Sequence, residues 1–163
     1  MASMPRMQVL LMRHARAVDE GPRLADEQRF LTLEGRRTAL AVGRRLGELG
    51  AAVDAVLTSP LVRAVQTAEL ASQSLGYAGA VESFFALAPG LPVRLVAEEL
   101  AAHGTCVLVV GHEPSISALG AFLASAPSFP PLRPGQAVML ERGQPRWSLH
   151  PETLEQDVVR IGP

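Results

Sequence analysis

The stretch TCVLVVGH, residues 105–112, decides the fold. Its residues 106–110 are all apolar, and Gly104 and Gly111 lie on the two sides of this run. Such a short run is typical of a strand buried on both faces in a parallel sheet. We therefore predict a central strand over 105–110, which presents His112 at its carboxyl end. In α/β sheets that end is where the ligand crevice opens.

Strands and helices alternate through the rest of the chain. Residues 7–12 form a second apolar run that ends in Arg13 and His14, and residues 54–58 form a third. The remaining patterns predict a short strand over 80–84, a C-terminal hairpin over 136–149, and helices over 32–50, 59–76, 93–103 and 113–123. The alternation predicts one domain, residues 1–163, with a three-layer α/β/α sandwich around a mostly parallel sheet. The hairpin supplies an antiparallel edge.

Two helix starts carry specific signals. Thr32 is a good N-cap for the first helix, in which Gly43 is a weak point. Ser59 and Pro60 begin the second helix, with Ser as the cap and Pro in the first turn. Arg63 then lies in that first turn, where free N–H groups and the helix dipole already favour an anion. The segment 15–30 lacks periodicity, and we interpret it as a long loop over the strand ends.

Composition excludes several classes of protein. The 15 basic and 16 acidic side chains give a net charge of −1, so no overall basic field points to nucleic acid. The single cysteine, Cys106, excludes an intramolecular disulfide framework, and we interpret it as a core residue. The apolar run near the N-terminus is too short for a signal peptide or a membrane span. We expect a cytoplasmic protein that binds neither nucleic acid nor membrane.

Four segments together resemble the histidine phosphatase superfamily, and within it the small phosphohistidine phosphatases. The resemblance runs from Val9 to about Leu123. Its motifs are Leu11-Met12-Arg13-His14, Leu31-Thr32 with Gly35, Thr58-Ser59-Pro60-Leu61 with Arg63-Ala64 and Gln66-Thr67, and Val110-Gly111-His112. The resemblance implies a phosphoglycerate mutase-like fold. It also implies a phosphatase whose arginines supply the positive charge, so that no metal or cofactor is needed.

The same resemblance implies a covalent mechanism. Neutral His14 attacks phosphorus and forms a phosphohistidine enzyme, which water then hydrolyses. Arg13, Arg63, His112 and Arg29 bind the phosphoryl oxygens, because guanidinium groups offer paired donors and stay charged. The nearby Arg13 and Arg63 disfavour protonation of His14, so activity should fall in acid.

Two departures from the family pattern bear on the substrate. Many members carry Gly after the nucleophilic histidine, where this chain has Ala15. Mutase-like and acid phosphatase members also supply a carboxyl general acid, for which this chain offers only Glu82 or Glu113. The imidazole of a phosphohistidine leaves without help from an acid once its ring is protonated, whereas an alkyl phosphate needs its leaving alkoxide protonated. The sequence therefore favours phosphohistidine on a protein partner, such as a phosphotransfer domain.

Two alternatives stay open at this point. The same residues could hydrolyse a small phosphomonoester, with Glu82 or Glu113 as the acid. The protein could instead be a phosphate-dependent binding module that uses the arginines as a clamp, although such a clamp needs no nucleophile like His14. The acidic residues Asp19, Glu20, Asp26 and Glu27 of the loop could contact a protein partner.

Overall fold

The computed structural model describes residues 6–162. Their strands form one mixed seven-stranded sheet in the order β3-β2-β4-β1-β5-β6-β7. The strands are β1 (Gln8–Arg13), β2 (Ala55–Thr58), β3 (Val81–Ser83), β4 (Cys106–Gly111), β5 (Ala137–Glu141), β6 (Gln144–Leu149) and β7 (Gln156–Asp157). The helices are α1 (Leu33–Glu48), α2 (Val62–Leu75), α3 (Arg94–Glu99) and α4 (Ser115–Leu123). The predicted strands and helices are therefore present, and β7 is an addition.

The inner half of the sheet is parallel. Strand β4 pairs in parallel with β1 on one side and with β2 on the other, and β2 pairs in parallel with β3. Every residue of β4 is buried, as its apolar sequence predicts. The carboxyl ends of β1, β2 and β4 therefore meet at one edge of the sheet.

Helices cover both faces of the sheet. Helices α1 and α2 pack together, and side chains such as Val42 and Ala68 bury one face, which includes Leu10 and Leu108. Helices α3 and α4 cover the opposite face through residues such as Ile116, in one cluster with β1, β2 and β4. This arrangement confirms the predicted three-layer α/β/α architecture.

Gly43 is required by the packing of α1 against α2. A Cβ atom at Gly43 would collide with the backbone of Ala71 and with Ser74 Oγ. The low helix propensity of this glycine is therefore offset by the close approach of the two helices. The sequence identified the weak point but not its reason.

The two predicted helix starts have different outcomes. Thr32 caps α1 as predicted, because its Oγ1 accepts a hydrogen bond from the Gly35 amide at 3.0 Å. Ser59 does not cap α2: the helix begins at Val62, and its N-cap position is held by Leu61. The prediction for Ser59 was wrong: its hydroxyl oxygen accepts from the amide of Leu61, which precedes the helix, and the hydroxyl also contacts the imidazole of His112. Arg63 nevertheless lies in the first turn.

The C-terminal hairpin extends the sheet beyond β1. Strand β5 runs antiparallel to β1, β6 runs antiparallel to β5, and the short β7 lies outermost. The antiparallel side of the sheet is thus wider than the predicted hairpin alone. Across residues 6–162, the helices are all too short or too polar to cross a bilayer.

Candidate active site

The two histidines are neighbours because of the strand register. Arg13 of β1 lies opposite Gly111 of β4, so the following residues, His14 and His112, leave the sheet side by side. The amide of His14 donates to the Gly111 carbonyl at 3.0 Å, and the imidazole centroids are 5.1 Å apart. The predicted meeting of these two strand ends is what the structure contains.

His14 is buried, and one of its two ring nitrogens is hydrogen-bonded to the backbone. Its Nδ1 lies 2.8 Å from the carbonyl oxygen of Ala15, and the side chain is buried. A carbonyl accepts only from a protonated nitrogen, so Nδ1 carries the proton and Nε2 keeps its lone pair. Burial, and then the charges of Arg63 and Arg13, lower the pKa of His14 to about 4. The ring is neutral at physiological pH, and burial outweighs the arginines that the sequence suggested as the cause.

His112 is fixed by a serine. Its Nε2 lies 2.6 Å from Ser59 Oγ, and the Ser59 hydroxyl oxygen accepts from the Leu61 amide at 3.3 Å. Burial is the main cause that lowers the pKa of His112 to about 3, with His14 and Arg63 adding to it. This ring is therefore neutral as well, and Ser59 sets its orientation.

Two arginines complete the cluster. Arg13 donates from Nη1 to the carbonyl of Leu132 at 3.0 Å. Arg63 is almost fully buried and donates to Asp26, from Nη1 to its carbonyl oxygen and from Nη2 to Oδ2, at 2.8 and 3.2 Å. Both guanidinium groups are thus fixed by the protein on one side.

Buried polar atoms without a partner are concentrated in this cluster. Within residues 6–162, they include the Nε atoms of Arg13 and Arg63 and Nδ1 of His112. Buried polar groups are normally paired, so unpaired ones call for a functional explanation. Guanidinium N–H groups donate well to oxyanions, and a neutral imidazole can donate from one nitrogen. The arrangement can bind an oxyanion beside the free Nε2 of His14.

Comparisons with known proteins agree with this chemistry. The profile of the histidine phosphatase superfamily (branch 1) matches residues 9–84, which include Arg13, His14 and Arg63. An uncharacterised protein of Mycobacterium tuberculosis is 43% identical over 116 residues, which are 70% of each chain. This chain belongs to the histidine phosphatase superfamily.

Two further relatives of this superfamily member are phosphatases. The structure of the protein histidine phosphatase SixA complexed with tungstate has a TM-score of 0.83 and 28% identity, covering 91% of this chain and all of SixA. The mitochondrial serine/threonine-protein phosphatase Pgam5 of Drosophila pseudoobscura pseudoobscura is 37% identical over 86 residues. That match covers 52% of this chain and 29% of Pgam5. This protein is accordingly a phosphatase, and it has the phosphoglycerate mutase-like fold of SixA.

Arg29 is tied into the loop rather than left free for a ligand. Its Nε donates to the Val18 carbonyl at 2.7 Å, and its Nη1 donates to Asp26 Oδ1 at 3.0 Å. The charge of Arg29 still contributes to lowering the pKa of His14. Arg29 therefore affects the site through its charge and through its bonds within the loop, and direct phosphate contact stays a prediction.

The two glutamates predicted as acids have other partners. Glu113 accepts from Ser117 Oγ at 2.6 Å and from the Leu132 amide at 3.1 Å. Glu82 lies on β3 with its carboxylate 3.7 Å from Nδ1 of His103. Within residues 6–162, neither carboxylate hydrogen-bonds to His14 or His112, so the structure gives the acid prediction no support.

Three site residues escaped the sequence reasoning. Ser59 orients His112, and Asp26 binds Arg63. Thr67 Oγ1 donates to the Arg63 carbonyl at 2.7 Å and accepts from the Ala15 amide at 3.0 Å. Thr67 and Ser59 lie inside the quoted motifs, so a signal for them existed. In the sequence, Asp26 is one of several acidic residues of the loop, and nothing distinguishes it from the others.

Proposed function

We propose that this protein hydrolyses phosphohistidine on a partner protein, without a metal ion, through a phosphohistidine intermediate on His14. The observation that carries the proposal is the state of His14, a buried neutral imidazole whose Nδ1 donates to Ala15 and whose Nε2 keeps its lone pair. A neutral nitrogen is the form that attacks phosphorus. The binding of tungstate by SixA supports an oxyanion site in the same fold.

The first half-reaction transfers the phosphoryl group to the enzyme. Nε2 of His14 forms a bond to phosphorus in line with the leaving imidazole of the substrate, whose P–N bond breaks. A substrate ring protonated on its other nitrogen takes the bonding pair and leaves as neutral imidazole. Arg13 and Arg63 donate from their unpaired Nε atoms to the phosphoryl oxygens.

His112 donates to the same oxygens in this mechanism. Ser59 Oγ lies 2.6 Å from Nε2 of His112, and in the proposed mechanism the Ser59 hydroxyl donates its proton to that nitrogen. Nδ1 of His112 is then the protonated nitrogen, and it is a buried atom with no partner among the described residues. A donor fixed before substrate arrives stabilises the developing charge without reorganisation.

The second half-reaction returns the enzyme to its starting state. Water attacks phosphorus, the P–Nε2 bond of phosphohistidine breaks, and inorganic phosphate leaves. The water contributes its oxygen and one proton to phosphate, and its second proton passes to solvent. His14 is again neutral and ready for another turnover.

The carboxylates around the site favour phosphohistidine over an ester. Asp26 contacts Arg63, but its hydrogen bond to Arg29 lowers the pKa of its carboxyl group, so it is ionised and has no proton to donate near neutral pH. Glu113 accepts hydrogen bonds from Ser117 and Leu132. An alkyl ester needs an acid for its leaving alkoxide, whereas a protonated imidazole does not.

Apolar side chains at the carboxyl edge favour a protein partner. Phe30 follows Arg29, Val62 precedes Arg63, and Phe85 follows β3, and these three side chains are 43%, 39% and 75% exposed. Exposed apolar groups around a polar site are typical of surfaces that contact proteins. A substrate histidine carried on a protein surface could bring its own apolar neighbours against them.

The test compares two substrates in the presence of EDTA. Steady-state phosphate release is measured from a phosphohistidine-bearing phosphotransfer domain and from p-nitrophenyl phosphate, with the wild type and His14→Ala. The proposal predicts rapid, His14-dependent release from the phosphoprotein and weak ester hydrolysis. Strong ester turnover that Glu113→Gln abolishes would favour a phosphomonoesterase. A stoichiometric complex without turnover on the phosphoprotein would favour a binding module.

A further inference from the structure

We propose that Asp26 is a positioning residue that holds the outer edge of the Arg63 guanidinium, so that its Nε edge faces the phosphoryl group. This inference rests on the phosphate site of the proposed function and adds a residue to it. Asp26 lies in the loop that connects β1 to α1, in a short 3-10 helix over Asp26–Gln28.

The contacts between Asp26 and Arg63 are directional. Arg63 Nη1 donates to the main-chain carbonyl of Asp26, and Nη2 donates to its Oδ2. The Arg63 side chain is 6% exposed, whereas that of Asp26 is 43% exposed. A long side chain inside the protein is therefore fixed from the outside by a residue of the surface loop.

The geometry of the guanidinium explains what this contact does. A guanidinium group has five N–H donors in a planar fork and can bind an oxyanion along more than one edge. Asp26 occupies the edge formed by Nη1 and Nη2. The Nε–H of Arg63 is buried and has no hydrogen-bond acceptor among residues 6–162. In the proposed arrangement, a phosphoryl oxygen binds the side edge that contains this unpaired Nε–H.

Asp26 also binds a second arginine, Arg29 of the loop. Its Oδ1 accepts from Arg29 Nη1 at 3.0 Å, while its Oδ2 accepts from Arg63. Arg29 in turn donates from Nε to the carbonyl of Val18, near the start of the loop. One carboxylate therefore joins Arg63 of α2 to both sides of the loop that follows His14.

A competing interpretation predicts the opposite effect. If Asp26 imitated the phosphoryl group, it would occupy Arg63 in place of the substrate, and its removal would strengthen anion binding. The unpaired Nε of Arg63 argues against competition, because the donor that is buried and free lies on a different edge from those that Asp26 uses. The sign of the effect separates the two interpretations.

The experiment measures the dissociation constant of inorganic phosphate by calorimetry for the wild type, Asp26→Ala and Asp26→Asn. Glu27→Gln is the matched control, since Glu27 is an exposed acidic neighbour on the same turn. Loss of a hydrogen bond to a charged group predicts that Asp26→Ala weakens phosphate binding by roughly 10-fold. Asp26→Asn, which keeps one acceptor oxygen, should fall between Asp26→Ala and the wild type, and Glu27→Gln should match the wild type.

A double-mutant cycle shows whether Asp26 acts through Arg63. If it does, adding Asp26→Ala to Arg63→Ala should change kcat/KM by less than about 2-fold, because the two residues then share one effect. Additive losses, or tighter phosphate binding by Asp26→Ala, would overturn the inference. Unchanged phosphate binding by Asp26→Ala would also overturn it while leaving the proposed function intact. A wild type that neither binds phosphate nor releases it from either substrate would instead contradict the proposed function.

Discussion

The parallel side of the sheet and its C-terminal hairpin differ in how their polar side chains are paired. At the carboxyl ends of β1 and β4, buried side-chain nitrogens of Arg13 and His112 have no partner among the described residues. In the C-terminal hairpin, Glu141 accepts from Gln8 at 3.3 Å and pairs with Arg146 at 3.2 Å. His150 Nδ1, at the end of β6, accepts from the Glu152 amide at 3.2 Å.

This difference indicates that the parallel side of the sheet serves function, whereas the hairpin side serves stability. A buried donor without a partner costs about 1–3 kcal/mol, so a fold retains it only when something else uses it. The hairpin contributes apolar contacts, such as fully buried Leu149 in one cluster with Leu10 and Met12 of β1. We therefore expect substitutions at the parallel edge to change catalysis, and substitutions in the hairpin to change stability.

The largest effect is expected at His14. The His14→Asn variant keeps a polar side chain but has no nitrogen lone pair to attack phosphorus, so turnover should be abolished. Phosphate release from the phosphohistidine protein is the measurement, and thermal unfolding checks that the variant is folded. Residual turnover close to the wild-type rate would show that another group is the nucleophile.

The next effect is expected at Arg63. Removing one donor from a preorganised site typically lowers kcat by roughly 100-fold to 1000-fold, and Arg63→Ala should fall in this range. Arg146→Ala in the hairpin is the matched control, because Arg146 is 51% exposed and pairs with Glu141 at the surface. Steady-state kinetics on both variants measure the contrast. Equal losses in the two variants would remove the distinction between the two sides of the sheet.

The hairpin prediction concerns stability rather than rate. Leu149 is fully buried, so Leu149→Ala should lower the free energy of unfolding by about 2–5 kcal/mol, through lost burial and the cavity left behind. Denaturant unfolding measures this change, and kcat of the folded variant should stay near the wild-type value. A large loss of kcat with little loss of stability would place the hairpin in the catalytic machinery.

The smallest effect is the acid dependence of stability caused by the two imidazoles. Burial lowers the pKa of His14 to about 4 and of His112 to about 3, whereas unfolded histidine has a pKa of about 6.5. The unfolded chain binds more protons between these values, so stability is lost as pH falls below about 6.5 and levels off below the folded pKa values. At pH 5 we expect a loss of about 2 kcal/mol for each imidazole relative to pH 7.

The measurement for this last effect is denaturant unfolding at pH 7 and pH 5. His14→Asn is the informative comparison, because asparagine does not titrate and the contribution of His14 disappears. The variant should therefore lose less stability between the two pH values than the wild type does. Identical pH dependence in the two proteins would contradict the lowered pKa of His14.

Much of the fold was predictable from local patterns. The apolar run of β4 predicted a central buried strand, and every residue of β4 is buried in the structure. The cap at Thr32 and the end of α2 at Gly76, which has a φ of 85°, follow from side-chain and backbone preferences of single residues. Residue type alone indicates these features: continuous apolarity for β4, a capping hydroxyl for Thr32 and a left-handed glycine for Gly76.

The rest depended on contacts between distant segments. Ser59 has the residue type of a helix cap, but its hydroxyl is used by His112, 53 residues away in sequence. Asp26 has a local partner in Arg29, but its contact with Arg63 forms only because the fold brings α2 against the loop. Gly43 is likewise required only because the backbone of α2 lies against it. Local propensity does not contain such contacts between distant segments, so it cannot predict them.

The most direct test of the central claim is to find where phosphate is bound during turnover. The enzyme is mixed with a 32P-labelled phosphohistidine protein, quenched in alkali within milliseconds to seconds, digested, and analysed for labelled peptides. We predict an acid-labile, alkali-stable label on the peptide that contains His14, which is absent in His14→Asn. A label on a different residue, with His14 unmodified, would contradict the account.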